Sequence, residues 1–343
     1  MDLTQRQERV LACVVAGYSK TGEPVGSKAV SEELGVSSAT VRNEMAGLIE
    51  LGLLEQPHTS AGRVPSQRGY REYIDRLMPP KPLEEREKRI FDSMLLGSAH
   101  DPEGLLLRAA QLLAGASQCM AAATTPNGAG TVIKAVQFVQ TARRRAMLLL
   151  LSSAGSMKTK VFRCDFDLTP ELTRLFFRVF NERVTGKRAE DITPAFAQSM
   201  AASLGEMYVL LGPPLQALLE TARDTAETQV LLSGQMNLLF YPELEQRGVR
   251  RVLDFLERRE NLLRLLEAKP GKAQVLIGRE IGRAELEDVS LAVARYQVDG
   301  QDAGSLCTLG PVRMDYPRLT AILEYLARQV GGLLTGLSRE GQE

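Results

Sequence analysis

Four residues, Leu34-Gly35-Val36-Ser37, constrain this chain more than any others. Gly35 ends one short helix and Ser37 or Ser38 caps the next, so two helices must meet across a tight turn and share one small core. The flanking residues agree. Ser27 caps the short second helix, which buries Val30 and Leu34. The third helix puts Val41, Met45, Leu48 and Ile49 on one face and stops at Gly52. Upstream, Thr4 and Gln7 have capping-box spacing, and Val10, Leu11, Val14, Val15 and Tyr18 form the apolar stripe of a first helix. The segment "TGEPVGS" breaks that helix with two glycines and a proline.

Downstream, "LLEQP" and "RVP" read as two short strands joined by the turn in "QPHTSAGRVPS". Ser66 opens a fourth helix carrying Tyr70, Tyr73, Ile74 and Leu77, and "MPPKP" (Met78 to Pro82) ends it as a stiff linker. Three helices with a tight turn, a hairpin and another helix, all within residues 1–80, is the order of a winged helix-turn-helix domain. The hairpin tip is its wing.

The remainder has another texture. Residues 81–130 read as a linker with connecting helices. Strand-like runs follow at Ile133–Gln140, Arg145–Ser152 and Met157–Cys164, then a helix from Thr169. Residues 190–270 read as mostly helical, with a strand-like "TQVLLS". Strands resume at Ala273–Gly278, Val289–Val298 and Ala303–Pro311, and an amphipathic helix begins at Pro317. The prediction is an α+β protein: a winged helix, then an antiparallel-rich domain (131–189 and 271–343) interrupted by a helical segment (190–270).

Few chemistries fit. The chain has two histidines, His58 and His100, and no compact Cys/His/Asp cluster, so no metal is expected. Cys13, Cys119, Cys164 and Cys307 lie far apart, as reduced thiols of a cytoplasmic protein do. "GAG" at 128–130 lacks a following Gly-Lys-Ser/Thr, and there is no G-x-S-x-G elbow. Gly304 and Gly310 read as strand glycines rather than a nucleotide loop. No enzyme activity, cofactor, export signal or membrane span is expected.

The third helix is the informative one. Its buried stripe leaves Ala39, Arg42, Asn43, Ala46 and Gly47 facing outward. Small residues let a helix approach a groove floor, while Arg and Asn can make bidentate bonds to guanine and adenine. Ser37, Ser38 and Thr40 at its start suit phosphate oxygens. In the wing, His58, Thr59 and Ser60 form the tip, Gly62 is expected to take positive φ, and Arg63 supplies charge. Arg68, Arg71 and Arg76 follow. Residues 1–80 nonetheless hold nine Lys/Arg against ten Asp/Glu, so DNA affinity must come from placement and from two copies per site.

The run "LTQRQERVL…GEPVGSKAVSEELGVSSATVRNEMAGLIELGLLEQPHTSAGRVPSQRGYREYID" resembles the DNA-binding domain of the HrcA family, the bacterial heat-inducible transcription repressors. "LLSGQMNLL" (231–239) and "LGPVRMDY" (309–316) resemble its later signatures. The resemblance implies a homodimer that binds double-stranded DNA at an inverted repeat called CIRCE. It implies activity maintained by the GroE chaperonin, and a fold of winged helix, GAF-like domain and inserted dimerisation domain. Ser37 to Asn43 would read the groove, with His58 to Arg63 as the wing. The apolar stripe Val249, Val252, Leu253, Leu256, Leu263 and Leu266 is the expected dimer seam. The alternative reading is a repressor sensing a metabolite through its GAF-like domain.

Overall fold

The computed structural model describes residues 3–58, 62–126, 128, 130–153, 155–202, 208–266 and 272–340. The first domain comprises α1 (Gln5–Thr21), α2 (Ser27–Leu34), α3 (Ser38–Glu50), a hairpin of β1 (Leu54–Glu55) and β2 (Val64–Pro65), and α4 (Gln67–Glu72), which runs on as a π-turn to Leu77. Thr4 and Gln7 form the expected capping box on α1. Ser37, not Ser38, caps α3 through the Thr40 amide. Ser66 caps α4. Val10, Leu11, Val14, Val30, Val41, Leu48 and Leu54 meet in a fully buried core. Val25, in the connector between α1 and α2, exchanges two 2.9 Å backbone hydrogen bonds with Arg63, which adds a third short pairing to the hairpin.

After α5 (Glu85–Leu96) and α6 (Pro102–Ser117) the chain enters β3 (Met120–Thr124). A second unit follows: β4 (Ile133–Ala142), β5 (Arg145–Ser152), β6 (Met157–Arg163), α7 (Pro170–Val184), α8 (Pro194–Ala202) and α9 (Tyr208–Ala226). The chain then returns through β7 (Val230–Ser233), α10 (Glu245–Leu256), α11 (Arg259–Leu265), β8 (Gln274–Ile277), β9 (Val289–Val298), β10 (Gln301–Pro311) and α12 (Tyr316–Glu340). β7, β3, β10, β9 and β8, in that order, make one antiparallel sheet, the core of the GAF-like α+β domain. β4, β5 and β6 make a separate one.

The interruption therefore lies elsewhere than expected. The five-stranded sheet is left after β3 and rejoined at β7, which pairs Ala121 to Thr124 with Val230 to Ser233. The inserted unit spans β4 to α9, not 190–270, and it carries a sheet as well as helices. Strands 133–163 belong to it rather than to the GAF-like domain. β3 escaped the sequence reading because "MAAAT" has little β-propensity and continues the alanine-rich pattern of α6. Its alanines are small because both faces are covered. Ala121 and Ala123 meet the α6–α12 side, while Met120 and Ala122 meet the α10–α11 side.

The expected dimer seam is corrected by the same packing. Val249, Val252, Leu256 and Leu266 are buried against the outer face of the five-stranded sheet, Leu253 packs half-buried beside them, and Leu263 is half-buried. The apolar surface that suggested a seam is consumed inside the chain.

In the inserted unit, Phe138 centres a core with Phe162, Phe176 and Phe180, its ring centroid 5.0 Å from that of Phe180. β5, "RAMLLLLS", is apolar at both alternations. Ala146, Leu148 and Leu150 are buried within the unit. Met147, Leu149 and Leu151 point the other way. Register puts Met147 between Val139 and Val161, and Leu151 beside Met157. Val139, Met157 and Val161 are 45%, 59% and 55% exposed. This face, apolar but for Gln137 and Thr159 beside Leu149, is left uncovered by the described residues.

Candidate nucleic-acid interface

Ala39, Arg42, Asn43 and Ala46 are exposed along one stripe of α3, opposite buried Val41, Met45 and Leu48. Gly47 closes the stripe, since a side chain there would meet Gln7 of α1. At the N-terminus, Ser37 and Thr40 join hydroxyls at 2.8 Å, and Ser37 also accepts from the Thr40 amide. Ser38 turns to α2, where its hydroxyl lies 3.1 Å from that of Ser27. Arg42 donates from Nε to Ser27 Oγ at 3.4 Å. Among the described residues neither Arg42 nor Asn43 is in an ion pair. Arg6, by contrast, is held by Glu44 at 3.5 Å.

Ser27 is the residue that sequence reading misassigned. It is not a cap: the cap position of α2 is Gly26, with no side-chain hydrogen bond. Its partners are 11 and 15 residues away, so no local pattern could reveal them.

His58 is exposed at the last described position before the wing tip. Thr59 and Ser60 lie outside the described residues. Gly62 is not at positive φ, which corrects the expectation. Glycine is needed there for another reason: a Cβ would stand 2.5 Å from Val25 C, 2.6 Å from Val25 O and 2.7 Å from Pro24 O. Arg63 is half-buried, with its backbone tied to Val25.

The arginines behind the wing part company with it. Arg71 donates to Val275 O at 2.6 Å and to Glu280 at 2.9 Å, and pairs with Asp75 at 3.1 Å. Burial raises the Glu280 pKa, but hydrogen bonds from Arg71 and the Ile277 amide outweigh it and hold the carboxyl below its ordinary value. Arg76 pairs with Glu72. Arg68 shares a cleft between the first domain and the body with Arg279, Glu287 and Asp288, apart from the α3 stripe. α4 is thus a docking helix. Gln67 donates to Glu287 O at 3.1 Å, and Tyr70 meets Tyr316 edge to face at 5.8 Å.

A cavity of about 180 Å³ sits at this junction, lined by Ser19 of α1, Cys119, Tyr241 and Arg313, Asp315 and Arg318. Arg313 lies over the Tyr241 ring and pairs with Glu243. Arg318 pairs with Glu87, and Asp315 with Lys81. Its charges are already matched, and it is remote from the α3 stripe. Burial pushes the Cys13 thiol, next to Glu33, and the Cys307 thiol each up to about 12, so both stay protonated and unreactive. Among the described residues no group of His, Cys, Asp or Glu could hold a metal ion, and no helix is long and apolar enough to cross a membrane.

Residues 2–75 match the winged helix-turn-helix transcription repressor domain of HrcA that binds DNA, and residues 103–320 match the HrcA protein C-terminal domain. The chain belongs to the HrcA family. A heat-inducible transcription repressor HrcA from Desulforudis audaxviator is 34% identical, covering 99% of this chain and 100% of its own. One from Moorella thermoacetica is also 34% identical, with the same coverage. A crystal structure described only as that of a hypothetical protein superposes with a TM-score of 0.73 at 26% identity, covering 98% of this chain and all of its own. This family member is therefore a DNA-binding transcription repressor, not an enzyme, and the α3 stripe sits in its DNA-binding domain.

Proposed function

We propose that the chain represses chaperone operons by binding the inverted repeat CIRCE as a homodimer, with GroE maintaining the active form. The observation that carries the DNA-reading part is the exposed Ala39, Arg42, Asn43, Ala46 stripe on the helix after the tight turn. Ala39 and Ala46 allow close approach. Arg42 reads a guanine and Asn43 an adenine in the major groove. Ser38 and the wing residues His58 to Arg63 hold the phosphate backbone.

A near-neutral domain reads one half-site weakly, so a two-fold pair is required. The support for pairing is the uncovered face of β4–β6. A strand apolar at both alternations belongs to a sheet buried on both sides, and the described residues cover only one. A second copy laid on Met147, Leu149, Leu151, Met157 and Val161 would bury the other, which supports a seam in the inserted unit. The CIRCE and GroE assignments rest on family membership. Arg42→Ala tests the reading: it should cost about 1–3 kcal/mol per half-site and relax selectivity at one base pair. Equal loss on operator and random DNA would make Arg42 a phosphate contact.

A further inference from the structure

Arg42 is held by one residue outside its own helix, and that contact decides which edge of the guanidinium is free. Arg42 Nε donates to Ser27 Oγ at 3.4 Å, and Ser27 Oγ lies 3.1 Å from Ser38 Oγ. Ser38 and Arg42 are four residues apart, hence on the same stripe of α3. Ser27 is the first residue of α2, so the two helices of the motif are bridged by a hydroxyl at the surface that meets DNA.

Donor chemistry fixes the first of these bonds. A guanidinium has no acceptor, so Ser27 Oγ must accept from Arg42. Ser27 Oγ and Ser38 Oγ share a further hydrogen bond in which either hydroxyl can donate. Nε is occupied, which leaves Nη1 and Nη2 as the parallel fork that matches guanine O6 and N7.

We propose that Ser27 is a positioning residue that fixes Arg42 for end-on, Nη1/Nη2 reading of a guanine, with Ser38 bracing the Ser27 hydroxyl. This rests on Arg42 reading a base. Without Ser27 the long side chain regains rotamers, and its side-on edge, Nε with Nη2, competes for the base. The loss should therefore appear as lost discrimination, not as lost attraction to DNA.

The test uses the full chain and duplexes selected from a random pool by the wild type. Each base pair of the half-site is varied, and a random duplex serves as reference. Ser27→Ala should lower the preference at the Arg42-dependent base pair about three- to tenfold, as loss of one ordinary exposed hydrogen bond would. Binding to random duplex and the melting midpoint should stay unchanged. Ser27→Thr should restore the preference, and Ser27→Ala should add nothing in an Arg42→Ala background. Equal loss on selected and random DNA, unchanged preference, or additive effects with Arg42→Ala would overturn the positioning role. If Arg42→Ala itself leaves every base preference intact, base reading by Arg42 falls first, and the role of Ser27 falls with it.

Discussion

Gly62→Ala probes how the wing is attached. Gly62 has ordinary φ, so alanine meets no backbone strain. Its methyl would nonetheless stand 2.5 Å from Val25 C and 2.6 Å from Val25 O, roughly 1 Å inside normal contact. These are backbone atoms and cannot rotate away. The chain has two responses. It can keep the Val25–Arg63 pairing and absorb the overlap, at about 1–3 kcal/mol for ordinary overpacking and more where backbone must move. Or it can release the two 2.9 Å hydrogen bonds between Val25 and Arg63, which contribute about 1 kcal/mol net each. Release is the cheaper course for a backbone clash, so the expected cost is about 2 kcal/mol, confined to the wing. Hydrogen exchange of the full-length protein should show the Val25 and Arg63 amides losing protection while α12 keeps its own. Operator affinity should fall as the wing leaves its place. Full protection at both amides with wild-type binding would refute this account of why glycine stands at 62.

Two further glycines, neighbours in α12, should respond with opposite sign. Gly331→Ala puts a Cβ 2.4 Å from Gln297 O and should destabilise, while Gly332 faces open space and Gly332→Ala should stabilise by about 0.5–1 kcal/mol, both read by denaturant melts. Leu149→Arg with Val161→Arg, on the uncovered sheet face, should give a folded monomer by sedimentation that binds a full operator poorly and a single half-site normally; an intact dimer would move the seam elsewhere. The Arg71–Glu280 pair sets a pH dependence. Glu280 has a folded pKa below its unfolded value, so the pair's contribution is complete above about pH 4.5 and is lost as pH falls through the folded value. Protease cleavage in the Met78–Pro82 linker should rise on acidification in the wild type. In Glu280→Gln it should be raised already at neutral pH, and equal profiles would exclude the pair as a latch.

Local chemistry was legible in the sequence and long-range pairing was not. The caps at Thr4 and Ser66 and the apolar stripes of α1 and α3 read correctly because each is decided within a few residues, while the α3 cap was narrowed only to Ser37 or Ser38. β3 was lost because alanines report the closeness of their neighbours, not a strand. The stripe on α10 was recognised as apolar, but periodicity says only that a face is buried, never against what. The same limit hides the outward face of β5, because "RAMLLLLS" specifies a strand apolar on both sides and not what covers the second. Arg71 looked like part of a basic patch until Glu280, 209 residues away, proved to be its partner.

That long-range partnership bears on control. The core of the first domain does not end at the linker: Val14, Leu48 and Tyr70 belong to one buried cluster with Leu105, Ile322 and Tyr316. Tyr316, fully buried, donates to the Val312 carbonyl and accepts from the Ser290 hydroxyl of β9 at 2.9 Å, so the docking of α4 is tied to the central sheet. A reading head joined in this way cannot keep its orientation while the body loosens. In a two-fold pair the spacing of the two α3 stripes would then depend on the folding of both bodies. On the proposed reading, loss of about 1–2 kcal/mol of body stability shifts the binding-competent fraction several-fold with no ligand, metal or disulfide involved. Heating the purified protein by some tens of degrees should therefore abolish operator binding, and chaperonin with ATP should restore it unless unfolded client is added. The coupling makes a sharper demand as well. Loss of operator binding on heating should coincide with exposure of Tyr316, read by tyrosine fluorescence against a Tyr316→Phe reference. If binding is lost while Tyr316 stays buried, the head has detached on its own, and the continuous core is not what links stress to release.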